Sequence, residues 1–285
     1  MPIDVDLNLA EPRSILQGYI DAEQLTIPVL PAVAIDMLRM YKDPDTNARA
    51  MADLIQKDQS LVGSVVRVCN SAAYGGVRQI TSLQLAIARL GIRVLGRIAV
   101  SHIVRGKVFS AHAHEQEMAD IWSHAQLTAL IANEVARQCG LDEEEAYLCG
   151  LLHSIGKPSV FQAIEELKGK GMIDVTPAEE SALAEEFHCV VGFKVAEAWS
   201  LPPVVRQSCL HYKDPTESPV DTARVVSIVH VAHRLALSFR DADTEDAKSL
   251  LNESVIVTAG ISDAALKALI DEAESFVQKA EGMGR

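Results

Sequence analysis

The sequence predicts an all-α fold of two helical lobes packed together. Apolar residues recur at three- and four-residue spacing through most of the 285 residues. Gly, Pro, Ser and Asp punctuate that pattern at helix-length intervals. Period-two alternation long enough for a strand is missing, with 254–258 (Ser-Val-Ile-Val-Thr) the one β-branched stretch expected to be extended. A hydrophobic fraction of 48% and a charged fraction of 23% suit a globular chain with a sizeable core.

The elements follow in order. Residues 31–41 place Val33, Met37, Leu38 and Tyr41 at helical spacing after Pro28 and Pro31, and proline is tolerated at a helix start. Asp45 or Thr46 is expected to cap the next helix, which would bury Ala50, Leu54 and Ile55. Ser60 begins another, with Leu61, Val65, Val68 and Cys69 on one face. Gly75-Gly76 reads as a loop. Ser82 opens a helix containing Leu83, Ala86, Ile87 and Leu90, and Gly91 separates it from 93–108. A seam falls between about 108 and 115, where the second lobe begins with a long helix ending at Gly140. Further helices are predicted at 141–155 (ending at Gly156), 177–187, 190–200, 203–211, 220–239, 244–251 and 262–281.

Charge narrows the function. Lys+Arg is 26 against 39 Asp+Glu, a formal net charge of −13. That balance argues against nucleic-acid binding and against attraction to anionic lipid. The first residues lack the basic and apolar regions of a secretory signal, and the best apolar run, 86–104, is interrupted by Arg89, Arg93 and Arg97. With Arg105 these arginines read as the outer surface of an amphipathic helix. Five cysteines with no CxxC pair point to reduced thiols and a cytoplasmic location.

Nine histidines are present. His102, His112, His114 and His230 sit in ordinary contexts, whereas His124, His153, His188, His211 and His233 stand at helix ends or on apolar faces. Five convergent imidazoles would suit a transition metal (zinc, iron, manganese or nickel); the competing reading is packing and hydrogen bonding. Lys157, after Gly156, reads as a solvated charge at a helix C-terminus, with phosphate binding as the alternative. Asn70 is expected to bond the Gly75-Gly76 loop and Arg67 to pair with an acid such as Asp58; contact with a ligand or partner is the other role open to them. Residues 142–145 (Asp-Glu-Glu-Glu) read as a solvated helix start.

In this order the residues resemble the HD superfamily of metal-dependent phosphohydrolases, and within it the HDOD domain, the HD-related output domain of bacterial signalling proteins. His124 falls at the first His of the signature, and His153 with Ser154 at the His-Asp pair. His188 falls in the "H..G" segment, His211 and Tyr212 at a His-His pair, and His233 at the distal Asp. In the first lobe, 30–34 (Leu-Pro-Ala-Val-Ala), 55–61 (Ile-Gln-Lys-Asp-Gln-Ser-Leu), 66–72 (Val-Arg-Val-Cys-Asn-Ser-Ala) with Tyr74-Gly75, and Ile80, Ser82, Ala86, Ile87, Leu90 and Gly91 resemble successive HDOD segments. The resemblance covers roughly 23–240, divided at about 110 into an N-terminal lobe and an HD-like lobe. It leaves 1–22 as an N-terminal extension and 241–285 as helices packing on the HD-like lobe.

The departures set the functional expectation. A carboxylate balances an ion's charge and can bridge two ions, whereas a seryl hydroxyl does neither. Ser154 and His233 remove both carboxylates of the signature and Tyr212 removes one histidine, so the resemblance implies a degenerate HD-type bundle. The expected function is a stand-alone, non-catalytic output module that binds other signalling proteins, with no confident cofactor or catalytic residue and no assigned oligomeric state. The alternative is a phosphohydrolase of altered, His-rich site acting on a nucleotide or cyclic dinucleotide. A third reading is a sensor holding a small molecule in the old site.

Overall fold

The computed structural model describes residues 9–30, 32–42, 47–71, 74, 79–109, 114–241 and 244–284. Every regular element among them is helical, and together they bury one continuous apolar core. Pro31, Asp45, Thr46, Ala72, Gly75, Gly76 and His112, and so the loop, cap and seam readings that rest on them, lie outside the described residues.

The first group of helices is α2 (Ala32–Lys42), α3 (Ala48–Gln56), α4 (Gln59–Cys69) and α5 (Leu83–Val108), each packed against α5 or its neighbour. Asn47 caps α3, accepting from the Ala50 amide at 2.9 Å, one residue past the expected Thr46. Met51 and Ala52 join Leu54 and Ile55 in the core, while Ala50 is only half-buried. Asp58 caps α4 through the amides of Ser60 and Leu61, so its carboxylate does not pair with Arg67. Asn70 closes α4 and fixes the returning chain. Its amide donates to the Val66 and Ile80 carbonyls, and its oxygen accepts from the Ile80 N–H at 2.7 Å. Ser82 caps α5 as expected, and Gly91 breaks that helix at φ 77°. A side chain is strained at such a φ, so glycine is required there.

The second group is α6 (Glu115–Gln138), α7 (Glu143–Leu152), α8 (Gly156–Gly169), α9 (Pro177–Ala198), α10 (Pro203–His211) and α11 (Ala223–Asp241). Three expectations are corrected here. Gly156 opens α8 rather than ending a helix, because the chain turns at residues 153–155. The two helices expected over 177–200 are one, α9, started by a Thr176–Glu179 capping box. Asp142 does cap α7, but Glu144 is not solvated: it is 6% exposed and receives both the Nε and Nη2 of Arg97. Arg97 is accordingly not outer surface; it ties α5 to α7 and lies over the Tyr147 ring.

An unexpected helix, α1 (Ala10–Asp21), lies on α8, where Tyr19 donates to Glu166 at 2.7 Å. The C-terminal segment forms α12 (Thr244–Ser249), α13 (Ser254–Ala259), α14 (Asp263–Asp271) and α15 (Ala273–Gly284). Residues 254–259 are therefore helical rather than extended; α13 packs on α11, where burial of Ile256 and Ala259 outweighs β-branched propensity. The single helix expected over 262–281 is broken at Glu272. α15 packs on α6 and α11.

Candidate functional site: a buried imidazole cluster

Two close helix approaches build the site. A Cβ at Gly150 would lie 2.8 Å from the Ala129 Cα, so glycine lets α7 press against α6. At Gly156 a Cβ would collide with the His188 carbonyl and stand 2.5 Å from the Gly192 nitrogen, so glycine lets α8 start against α9. Between these crossings His124 comes from α6, His153 from the turn after α7, His188 from α9, Tyr212 from the end of α10 and His233 from α11.

Ring nitrogens of His124, His153 and His233 lie within 4.8 Å of one another. His124 Nε2 and His233 Nδ1 share a 2.8 Å hydrogen bond. The Gly150 carbonyl, 2.7 Å from His153 Nδ1, can only accept, so that nitrogen carries the proton and Nε2 is a bare lone pair. The same logic puts the His188 proton on Nδ1, facing the Ala184 and Glu185 carbonyls, and makes its Nε2 the acceptor from Tyr212 Oη at 2.7 Å. The Tyr212 ring lies edge-on to His153 and His233, with centroids 4.6 and 4.9 Å away. His153 and His188 are 0% exposed, Ser154 and Tyr212 1%, and His124 9%.

Burial keeps these imidazoles neutral. Desolvation lowers His153 to about 4 and His188 to about 3. Desolvation, then the neighbouring imidazoles, also lowers His124 and His233 well below the usual imidazole range. Burial also drives the Tyr212 hydroxyl well above its usual value. At the edge, burial pushes the Glu185 carboxyl up, but ion pairs to Lys157 and Lys213 at 2.7 and 2.5 Å outweigh it and hold it at about 2.

Of the residues expected to converge, His124, His153 and His233 meet, and His188 joins through Tyr212. His211 does not: it carries no contact to the cluster and sits near Asp214, because Tyr212, one residue on, turns inward at the end of α10. Ser154 is beside the cluster with its hydroxyl unpartnered, and no carboxylate belongs to the three-imidazole group. Lys157 lies in the first turn of α8, not at a helix C-terminus, and pairs with Glu185. Asn70 is a backbone tie, and Arg67 is an exposed side chain near His102. His114, expected to be ordinary, packs on Phe161 beside Glu165 and Glu180; Lys168 already bridges those two carboxylates. Sequence reasoning passed over Gly150 and Gly156 as positioning residues. Their signal was a glycine within three residues on either side of a histidine in an apolar stretch.

The HDOD domain model matches residues 27–215. The chain belongs to the HDOD family. An HDOD domain protein of unknown function from Geobacter sulfurreducens superposes with a TM-score of 0.73 at 22% identity, over 95% of this chain and 97% of that one. A Shewanella amazonensis protein provisionally named a metal-dependent phosphohydrolase gives 0.68 at 20% identity, over 96% of each chain. A Marinobacter aquaeolei protein provisionally named a signal transduction protein gives 0.71 at 19% identity, over 99% of this chain and 68% of that one. An uncharacterised Treponema pallidum protein is 26% identical over 232 residues, and the chain spans 43% of its length. At these identities the solved structures share the fold of this HDOD chain. No helix among its described residues is long and apolar enough to cross a membrane. The matched segment ends before His233, which reaches the site from α11.

A carboxylate-bridged two-metal centre does not fit this HDOD site. The donor set is three neutral imidazoles with the unpartnered Ser154 hydroxyl beside them and no carboxylate in the group.

Proposed function

We propose that this chain is a non-catalytic HDOD output module that works by binding another signalling protein. The observation that supports it is the packed, hydrogen-bonded imidazole cluster: His153, Ser154 and Tyr212 are 0–1% exposed, and the Tyr212 ring lies edge-on to His153 and His233. The hydrogen bonds from Tyr212 to His188 and between His124 and His233 give the cluster a structural task, holding α6, α9, α10 and α11 together. The cytoplasmic location expected from the cysteines belongs to the same reading.

One observation favours a second reading, a single transition ion on His124, His153 and His233 with hydrolytic activity. His153 has its Nδ1–H anchored on a carbonyl and its buried Nε2 unpartnered, the second-sphere arrangement of a metal ligand. Against it, ligands about 2.05 Å from a tetrahedral ion stand about 3.3 Å apart, and the His124–His233 pair would have to open to that spacing.

Elemental analysis separates the readings. Protein made without a metal-affinity tag is loaded with zinc, manganese or nickel, desalted and analysed. The output-module reading expects far less than one ion per chain. Stoichiometric metal that His153→Ala removes would favour the second. Cross-linking in the source cells tests the interaction: it should trap this chain on a signalling protein, and recovery of uncross-linked chain alone would count against the reading.

A further inference from the structure

A second place in the molecule concentrates chemistry that the imidazole cluster does not use. Between α4, α5, α6 and α15 lies a cavity of ≈ 280 Å³. Its apolar wall includes Val68, Ile98, Phe109 and Trp122, the two aromatic rings tilted at 56° with centroids 5.2 Å apart. The remaining wall is cationic or hydrogen-bonding: Arg67 from the last turn of α4, Arg105 from the last turn of α5, and His102 one turn before it, 3.4 Å from the Ser64 hydroxyl.

We propose that this cavity binds a small organic anion, with Arg67 and Arg105 on its phosphate or carboxylate and Trp122 and Phe109 against an apolar or aromatic body. Guanidinium forks match both anions, and an aromatic wall takes a flat ring. Two arginines and one histidine thus face one partly apolar cavity in a chain of net charge −13. Their proximity is felt at His102: desolvation lowers it first, Asp58 raises it, and Arg105 and Arg67 lower it again. Asp58 is the acid on this side, and its carboxylate is engaged in capping α4. Arg67 makes no ion pair among the described residues, although Asp58 is close by in sequence.

Size limits the ligand. Pockets for drug-sized molecules begin at ~300 Å³, so this one suits a single ring with a single anionic group and excludes a dinucleotide. Met283 of α15 completes the lining, so an occupant touches helices from the first group, from α6 and from the C-terminal segment at once. Binding there would couple these elements, which is the position an input to an output module needs. The binding claim itself stands whether or not the imidazole cluster is catalytic.

The test uses the full chain with phenyl phosphate and benzoate as probes and phenol as the neutral control, read by thermal midpoint and by Trp fluorescence. At least one of the two anions should raise the midpoint and perturb the fluorescence, and phenol should do neither. Arg67→Gln alters an exposed side chain, leaves the fold intact and should weaken binding about tenfold, the effect of one charge-assisted hydrogen bond. Arg105→Gln should act in the same direction. A midpoint unmoved by both anions, an equal response to phenol, or unchanged binding in both variants would overturn the proposal.

Discussion

Lowering the pH from 8 to 5 should destabilise this protein by several kcal/mol through its buried histidines. Four imidazoles, His124, His153, His188 and His233, are neutral in the fold because desolvation lowers them, His153 to about 4 and His188 to about 3. In the unfolded chain each titrates near 6.5. The unfolded state therefore binds more protons between these limits, and stability falls as pH falls through 6.5. The stabilisation is fully present above the unfolded value and is lost on the way down to the folded one. At pH 5 His153 and His188 each contribute a loss of about 2 kcal/mol relative to pH 8, and His124 and His233 add to it in the same direction. A domain's whole stability is about 5–15 kcal/mol. Urea denaturation at half-unit pH steps from 8 to 5 measures the loss, and NMR of the His153 ring checks its source. The window separates this effect from carboxylates such as Glu185, whose pairs with Lys157 and Lys213 weaken only below about 4.5. A denaturation midpoint flat from pH 7.5 to 5, or a His153 resonance titrating near 6.5, would refute the reasoning.

Three substitutions follow from the packing. Gly156→Ala forces a methyl into the His188 carbonyl, backbone that cannot rotate away, and should cost ~3 kcal/mol or more by denaturant titration. Glu144→Gln removes the buried carboxylate that takes two hydrogen bonds from the Arg97 guanidinium, leaving the longer pair to Glu143, and should cost about 2 kcal/mol in the same measurement. Asn70→Ala removes two hydrogen bonds to Ile80 and one to the Val66 carbonyl and should cost about 2–3 kcal/mol, with amide exchange at Ile80 accelerated.

How far the sequence could be read depended on whether the deciding physics was local. Ser82 as a cap, Gly91 as a break and the Leu61–Val65–Val68–Cys69 face were legible because capping and periodicity act within a turn or two. The helix over 254–259 was not, since its β-branched residues favour extension until α11 supplies an apolar surface. Glu144 looked solvated among its acidic neighbours because its partner, Arg97, is far away in sequence. The histidine cluster was legible as a set through family order, yet His211 was wrongly included: which of two adjacent residues faces inward depends on where α10 ends, and Tyr212 closes that helix. The cavity beside Arg67 was invisible because α15 arrives there from the other end of the chain.

The proposed output-module role requires that the imidazole cluster turns nothing over. The most direct measurement is the initial rate of bis(p-nitrophenyl) phosphate hydrolysis by tag-free protein in manganese, zinc or nickel. The rate should match that of metal in buffer alone, and His153→Ala should leave it unchanged. Turnover that chelator abolishes and that His153→Ala lacks would contradict the account and make the cluster a working metal centre.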